Sequence, residues 1–145
     1  MSGGYRIGVA VSRFNRSVTD GLLEGARRAA AERGSALTDD DIFFVPGAFE
    51  LPIMAQKLVK VGRYHGLVCL GAVIQGETPH FDYVCRGAAA GIQRVALDAG
   101  IPIAFGVLTT DTVEQALARA GGTAGNKGYE AVVSVVDTLD ELARI

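Results

Sequence analysis

The chain has 145 residues, 49% of them hydrophobic, with 14 basic against 16 acidic side chains and a net charge of −2. That is enough for one domain with a buried core, and residues 1–145 are expected to form a single domain. A slightly negative chain with no basic run gives nucleic acid or an acidic membrane surface nothing to hold, and no fixed-period repeat points to a solenoid.

The N-terminus, MSGGYRIGVAVSRFN, has no charged segment followed by an unbroken apolar run. It reads as an immediate β-strand rather than a signal peptide, and no later run is long enough to span a bilayer, so a cytoplasmic protein is expected. YRIGVAVS forms the first strand and ends at the polar turn SRFN. From Ser17 to Arg33, Val18, Leu22, Leu23, Ala26, Ala29 and Ala30 recur at helical spacing, and Gly34 closes that helix. IFFVPG is a second strand, broken by Pro46. AFELPIMAQKLVKVG reads as a helix, with Pro52 in its first turn, where a missing N–H is tolerated.

GLVCLGAVI is apolar almost throughout, as suits a parallel strand covered on both faces. A long Ala/Gly-rich helix follows from His80 to about Gly100. IPIAFGVLT is a fourth strand, TVEQALARAG a fourth helix and YEAVVSVVDTLDELARI a final helix after the loop GGTAGNKG. Cys69 and Cys85 lie in apolar contexts without a CxxC pair or a nearby His set, so both are expected reduced and buried, with no metal.

Four strands interleaved with helices imply right-handed βαβ units and a three-layer α/β/α sandwich around a four-stranded parallel sheet. In such sheets ligands bind beyond the carboxyl ends of the strands. The rule selects SRFN, VPGAFE, IQGETPH and FGVLTTD, which follow four different strands and should meet at one edge. In GETPH, Thr78 fits a helix N-cap and Pro79 the first helical position. Gly76 allows close approach to the backbone, so the segment fits either an ordinary capped helix or a phosphate site at a helix N-terminus.

His80, one residue inside, is either a general acid/base beside that phosphate or a packed histidine. His65, in RYHG, is expected exposed and not catalytic. Phe14 stands where it would stack on a planar ligand or plug the core. Phe49 and Glu50 could meet a heteroaromatic ring and hydroxyls, or cap their helix. Phe105 is core by default. Arg119 ends a helix, where the dipole favours a cation, or grips phosphate with both nitrogens. Lys127 is a loop cation, solvated or reaching a ligand. GxGxxG is absent, and GGTAGNKG lacks the order of a P-loop.

Taken in order, SRFN, VPGAFELP, GAVIQGETPHFDYVC, PIAFGVLTTDTVEQALARAG and GNKGYEA resemble the lumazine synthase family from Tyr5 onward. The resemblance implies a flavodoxin-like fold and a transferase that condenses 5-amino-6-(D-ribitylamino)uracil with 3,4-dihydroxy-2-butanone 4-phosphate. The products are 6,7-dimethyl-8-ribityllumazine, phosphate and water, the penultimate step of riboflavin biosynthesis. By the same resemblance Phe14 stacks on the pyrimidine, Ala48, Phe49 and Glu50 bind its ring and ribityl chain, and Ala72, Val73 and Ile74 flank the ring. Glu77 and Thr78 hold phosphate together with Arg119, His80 transfers protons, Phe105 is supplied by a neighbouring subunit, and Lys127 is a nearby contact.

The implied chemistry has no redox change, so no cofactor is expected. The implied partners are the two small-molecule substrates, further copies of the chain in a pentamer or larger assembly with sites between subunits, and riboflavin synthase. Some family members build icosahedral capsids, often with an extra N-terminal strand; here only a few residues precede the first core strand. Two rival readings are a binding or shell protein that has lost turnover and a riboflavin synthase acting on two lumazines. The joint presence of Phe14, Thr78, His80 and Arg119 favours the phosphate-eliminating enzyme.

Overall fold

In the computed structural model, which describes residues 4–145, strand β1 (Ile7–Ser12) is buried along its whole length. Residues 1–3, the start of the segment read as leading directly into this strand, lie outside the described residues. The chain continues through α1 (Arg16–Glu32), β2 (Ile42–Val45), α2 (Leu51–Val61), β3 (Gly66–Ile74), α3 (His80–Ala99), β4 (Ile103–Thr110) and α4 (Val113–Ala118). A small hairpin of β5 (Ala120–Gly122) and β6 (Gly125–Asn126) leads into α5 (Lys127–Leu142).

The four long strands form one parallel sheet in the order β2-β1-β3-β4, as the alternation of strands and helices predicts. The order begins at the centre and moves outward on both sides, which is the flavodoxin-like arrangement with its switch point between β1 and β3.

Side chains alternate across the sheet with the period of two that a strand imposes. Ile7, Val9 and Val11, with Val68, Leu70 and Ala72 of β3, pack against Val18, Leu22 and Ala26 of α1 and Val132, Val135 and Val136 of α5. Ala10, Leu67 and Cys69 point the other way, toward Leu51, Ala55 and Leu58 of α2 and Ala88 and Ile92 of α3. The two clusters are the outer halves of a three-layer sandwich. On one side the helices touch backbone to backbone: a Cβ added to Gly128 would lie 2.0 Å from the Leu22 carbonyl oxygen. On the other, α3 buries only Ala88 and Ile92 of its 20 residues.

Several boundaries differ from the expected ones for local reasons. Ala48–Glu50 is a 3₁₀ turn and the α-helix starts at Leu51, with Pro52 in its first turn as expected. The Glu50 carboxylate accepts the Gly47 N–H at 3.0 Å and closes that turn. Helix α3 begins at His80 with Pro79 as its cap, one residue later than Thr78 as N-cap requires. Pro79 has ψ near 1°, short of the helical range, while its carbonyl already accepts the Asp82 N–H at 3.0 Å. GGTAGNKG is the β5–β6 hairpin, and Lys127 is the first residue of α5 rather than a loop cation. Asn126 creates that start, its side-chain oxygen accepting the N–H groups of Gly128 and Tyr129. Cys69 is buried as expected, but Cys85 is only half-buried.

Candidate active site

Three of the four segments at the carboxyl ends of the strands enclose one groove of about 670 Å³. Its lining contains Phe14 from the turn after β1, Ala48, Phe49 and Glu50 from the turn after β2, and Ala72, Val73 and Ile74 from the end of β3. Thr78 and His80 close it at the start of α3, beside Phe81, Tyr83 and Val84. The walls are mainly apolar, and the aromatic side chains of Phe14, Phe49 and Tyr83 are 71%, 60% and 70% exposed. Exposed rings around an apolar slot suit a planar ligand, because stacking and area burial are both available to it.

Backbone contacts hold this rim. Phe14 N–H donates to the Pro46 carbonyl at 3.1 Å, tying the first loop to the second. Phe49 rests on α3 where Gly87 has no side chain; a Cβ there would fall 2.6 Å from the ring. Thr78 Oγ1 accepts the His80 N–H at 3.4 Å, a long bond at an exposed helix start. Gly76 has open space where a Cβ would be. The first turn of a 20-residue helix therefore offers N–H groups and the positive end of its dipole to a ligand in the groove. Burial and the charge of Asp82 push the Cys85 thiol up, which keeps this neighbour of the groove a protonated thiol at neutral pH.

The fourth segment lies elsewhere. Arg119, Lys127 and Phe105 line a second, more polar depression of about 620 Å³ with Thr109, Thr110, Asp111, Gln115 and Glu130. Phe105 packs with the α2–α3 cluster and Leu108 with the α1–α5 cluster, so this depression wraps around β4, one of the two edge strands. Among the described residues none lines both depressions. Arg119 sits at the end of α4, where its Nη1 donates to the Gln115 carbonyl at 3.2 Å and leaves the guanidinium exposed. Lys127 is held beside it by its own N–H, which donates to the Arg119 carbonyl at 2.8 Å.

Within one chain the expected site thus falls into two parts, a ring-shaped slot with His80 and a cationic ledge. Glu77 is exposed and lines neither. His65 is exposed at the other end of the sheet, as expected, its Nδ1 accepting the Arg6 N–H at 2.9 Å.

The sequence profile of the 6,7-dimethyl-8-ribityllumazine synthase family matches residues 4–143. The chain belongs to that family. It is 53% identical over 137 residues to the 6,7-dimethyl-8-ribityllumazine synthase of Lactiplantibacillus plantarum, covering 94% of this chain and 86% of the relative. The synthase of Desulfatibacillum aliphaticivorans is 51% identical over 94% of this chain and 88% of its own. That of Syntrophus aciditrophicus is 50% identical over 98% and 92%. A solved LacI-family repressor from Corynebacterium glutamicum, at 18% identity and a TM-score of 0.45 over 97% of this chain and 52% of its own, is too distant to bear on either fold or function.

Lining residues not singled out in the sequence are Asn15, Phe81, Tyr83 and Val84 in the groove, and Asp111, Gln115 and Glu130 on the ledge, although Asn15 and Asp111 lie in the selected segments SRFN and FGVLTTD. Tyr83 and Val84 follow His80 at three and four residues, the spacing that shares a helix face, so their signal was present. Glu130 stands one turn after the cation Lys127 on α5 and was legible only once that helix start was known.

Proposed function

We propose that this chain is a 6,7-dimethyl-8-ribityllumazine synthase, forming one cytoplasmic domain over residues 1–145. It condenses 5-amino-6-(D-ribitylamino)uracil with 3,4-dihydroxy-2-butanone 4-phosphate. The observation that carries this reading is the convergence of Phe14, Phe49, Glu50, Ala72–Ile74, Thr78 and His80 on one apolar groove in a chain of this family.

The pyrimidine lies in the slot between Phe14 and the end of β3, with its ribityl chain toward Ala48–Glu50. The butanone phosphate sits at the start of α3, its phosphate on the N–H groups after Gly76 and on the Thr78 hydroxyl. The amine attacks the ketone and one water leaves with imine formation; phosphate is then eliminated, the enol tautomerises, and ring closure releases a second water. His80, at the meeting point of slot and helix start, carries protons between these steps. No electron leaves the substrates. Holding two reactants in register is the larger contribution, worth roughly 7–11 kcal/mol in favourable cases.

Arg119, Lys127 and Phe105 serve the same reaction from a second copy of the chain. Their separation from the groove supports this reading, since a neighbour's ledge facing the groove would bring Arg119 to a phosphate at the start of α3. The assembly is a pentamer or larger. The test follows lumazine fluorescence and inorganic phosphate together after purified protein is mixed with both substrates. Equal rates of the two products above the uncatalysed background are expected. Binding of the pyrimidine with neither product formed would replace the synthase by a binding or shell role.

A further inference from the structure

Strand β1 leaves its ladder with β3 at the pair Val11 and Leu70, while β3 continues to Ile74 paired only with β4. Ser12, the last residue of β1, still stands against Gly71, but beyond it the β1 side of β3 has no strand beside it among the described residues. At Ala72, a wall of the groove, the missing donor is a side chain: Asn15 Nδ2 donates to the Ala72 carbonyl at 3.0 Å. Asn15 reaches it from a left-handed conformation, φ 62° and ψ 53°, the one non-glycine residue with positive φ among the described residues. Asparagine is among the few side chains that tolerate this region. Although it stands at the N-cap of α1, its side chain caps nothing there. The side chain is used across the groove instead of along its own helix.

Phe14 immediately precedes Asn15. At 71% exposure its ring has almost no packing to fix it, so its place is set by the backbone on either side. One side is held by the Phe14 N–H bond to Pro46, the other by Asn15 on Ala72. We infer that Asn15 is a positioning residue that sets the width of the slot between Phe14 and the end of β3, and so selects for a ligand one ring thick. It acts through Phe14 and Ala72, the two walls that its backbone and side chain tie together. Asn15 has this role for the reaction only if the groove takes the pyrimidine, as proposed for it.

Asn15→Gly separates the two properties, because glycine keeps the left-handed turn and deletes only the bond to Ala72. Steady-state kinetics of this variant should show the KM for the ribitylaminouracil raised roughly 10-fold, the scale of one hydrogen bond. The KM for the butanone phosphate and kcat should change by less than about twofold, since the bond adds nothing at the helix start or at His80. Asn15→Asp, which keeps the turn but sets a carboxylate against a carbonyl, should raise the same KM at least as far. A merely structural role would instead move both KM values or kcat together, or neither, and any of these results overturns the inference. Titration of the ribitylaminouracil alone keeps the two readings apart. If the wild type binds it without turnover, the synthase reading falls and a matching loss of affinity in Asn15→Gly still supports the positioning role. Equal affinity in the variant, or a wild type that binds no pyrimidine, overturns it.

Discussion

The two ends of the sheet are built on opposite plans. At the amino end, just before β1, β2 and β3, polar side chains satisfy one another. Asp41, 7% exposed, accepts from Arg6 Nη2 at 3.0 Å, from Tyr64 OH at 3.0 Å and from Thr38 Oγ1 at 3.2 Å. The Arg6 and Arg63 guanidinium groups also lie over the Tyr64 ring. At the carboxyl end the rings of Phe14, Phe49 and Tyr83 stand open to solvent. One end is closed by the chain itself, the other is left for something else to close. Stability and ligand binding are therefore assigned to different ends of the same four strands.

Mutations can break that division, and the largest effect is expected at the closed end. Asp41→Ala removes the acceptor of the buried Tyr64 hydroxyl and the partner of Arg6, and should lower unfolding free energy by about 3 kcal/mol in urea titration. The activity of the protein that remains folded should stay within about twofold of wild type; a large loss would join the two ends functionally. His80→Ala, at the open end, should lower kcat by about 10²-fold, or ~2.7 kcal/mol, with the urea midpoint unchanged. Complete loss of activity in the folded variant would give His80 more of the barrier than positioning leaves it. Arg119→Ala should raise the KM for butanone phosphate about 30-fold, or ~2 kcal/mol, as befits a charged hydrogen bond, and leave the pyrimidine KM alone. An unchanged phosphate-substrate KM would remove the ledge from the site.

The smallest effect lies midway between the ends. Burial pushes the Cys69 thiol up from 9.0 to about 12. Between those values the unfolded chain has released the proton and the folded chain keeps it, so stability falls as pH rises. By pH 10 the loss should be about 1 kcal/mol, and it should vanish from the alkaline slope of Cys69→Ala. An equal slope in that variant would place the alkaline sensitivity elsewhere.

The sheet was legible because its strands are apolar runs bounded by turn residues, and its helices repeat at three and four. Glycine-rich strands of two and three residues carry no period, which is why the β5–β6 hairpin read as a loop and Lys127 with it. The groove was legible as far as residue types and the strand-end rule reach: Phe14, Phe49, Glu50, Thr78 and His80 do meet. That Arg119 and Lys127 stand apart from them was not, because it depends on β4 lying at an edge of the sheet, and no local pattern encodes strand order; Phe105 alone was expected from a neighbouring subunit, through the family resemblance. Asn15 was missed because its conformation, rather than its chemistry, singles it out.

Strand β4 is also the longer of the two edge strands, with the sequence IAFGVLTT, eight residues without a charge or a proline. A strand of that composition at a sheet edge is a template for pairing with other unfolded chains. Refolding from denaturant should consequently lose yield to precipitation as chain concentration rises, and a lysine introduced at the exposed Thr109 should recover it.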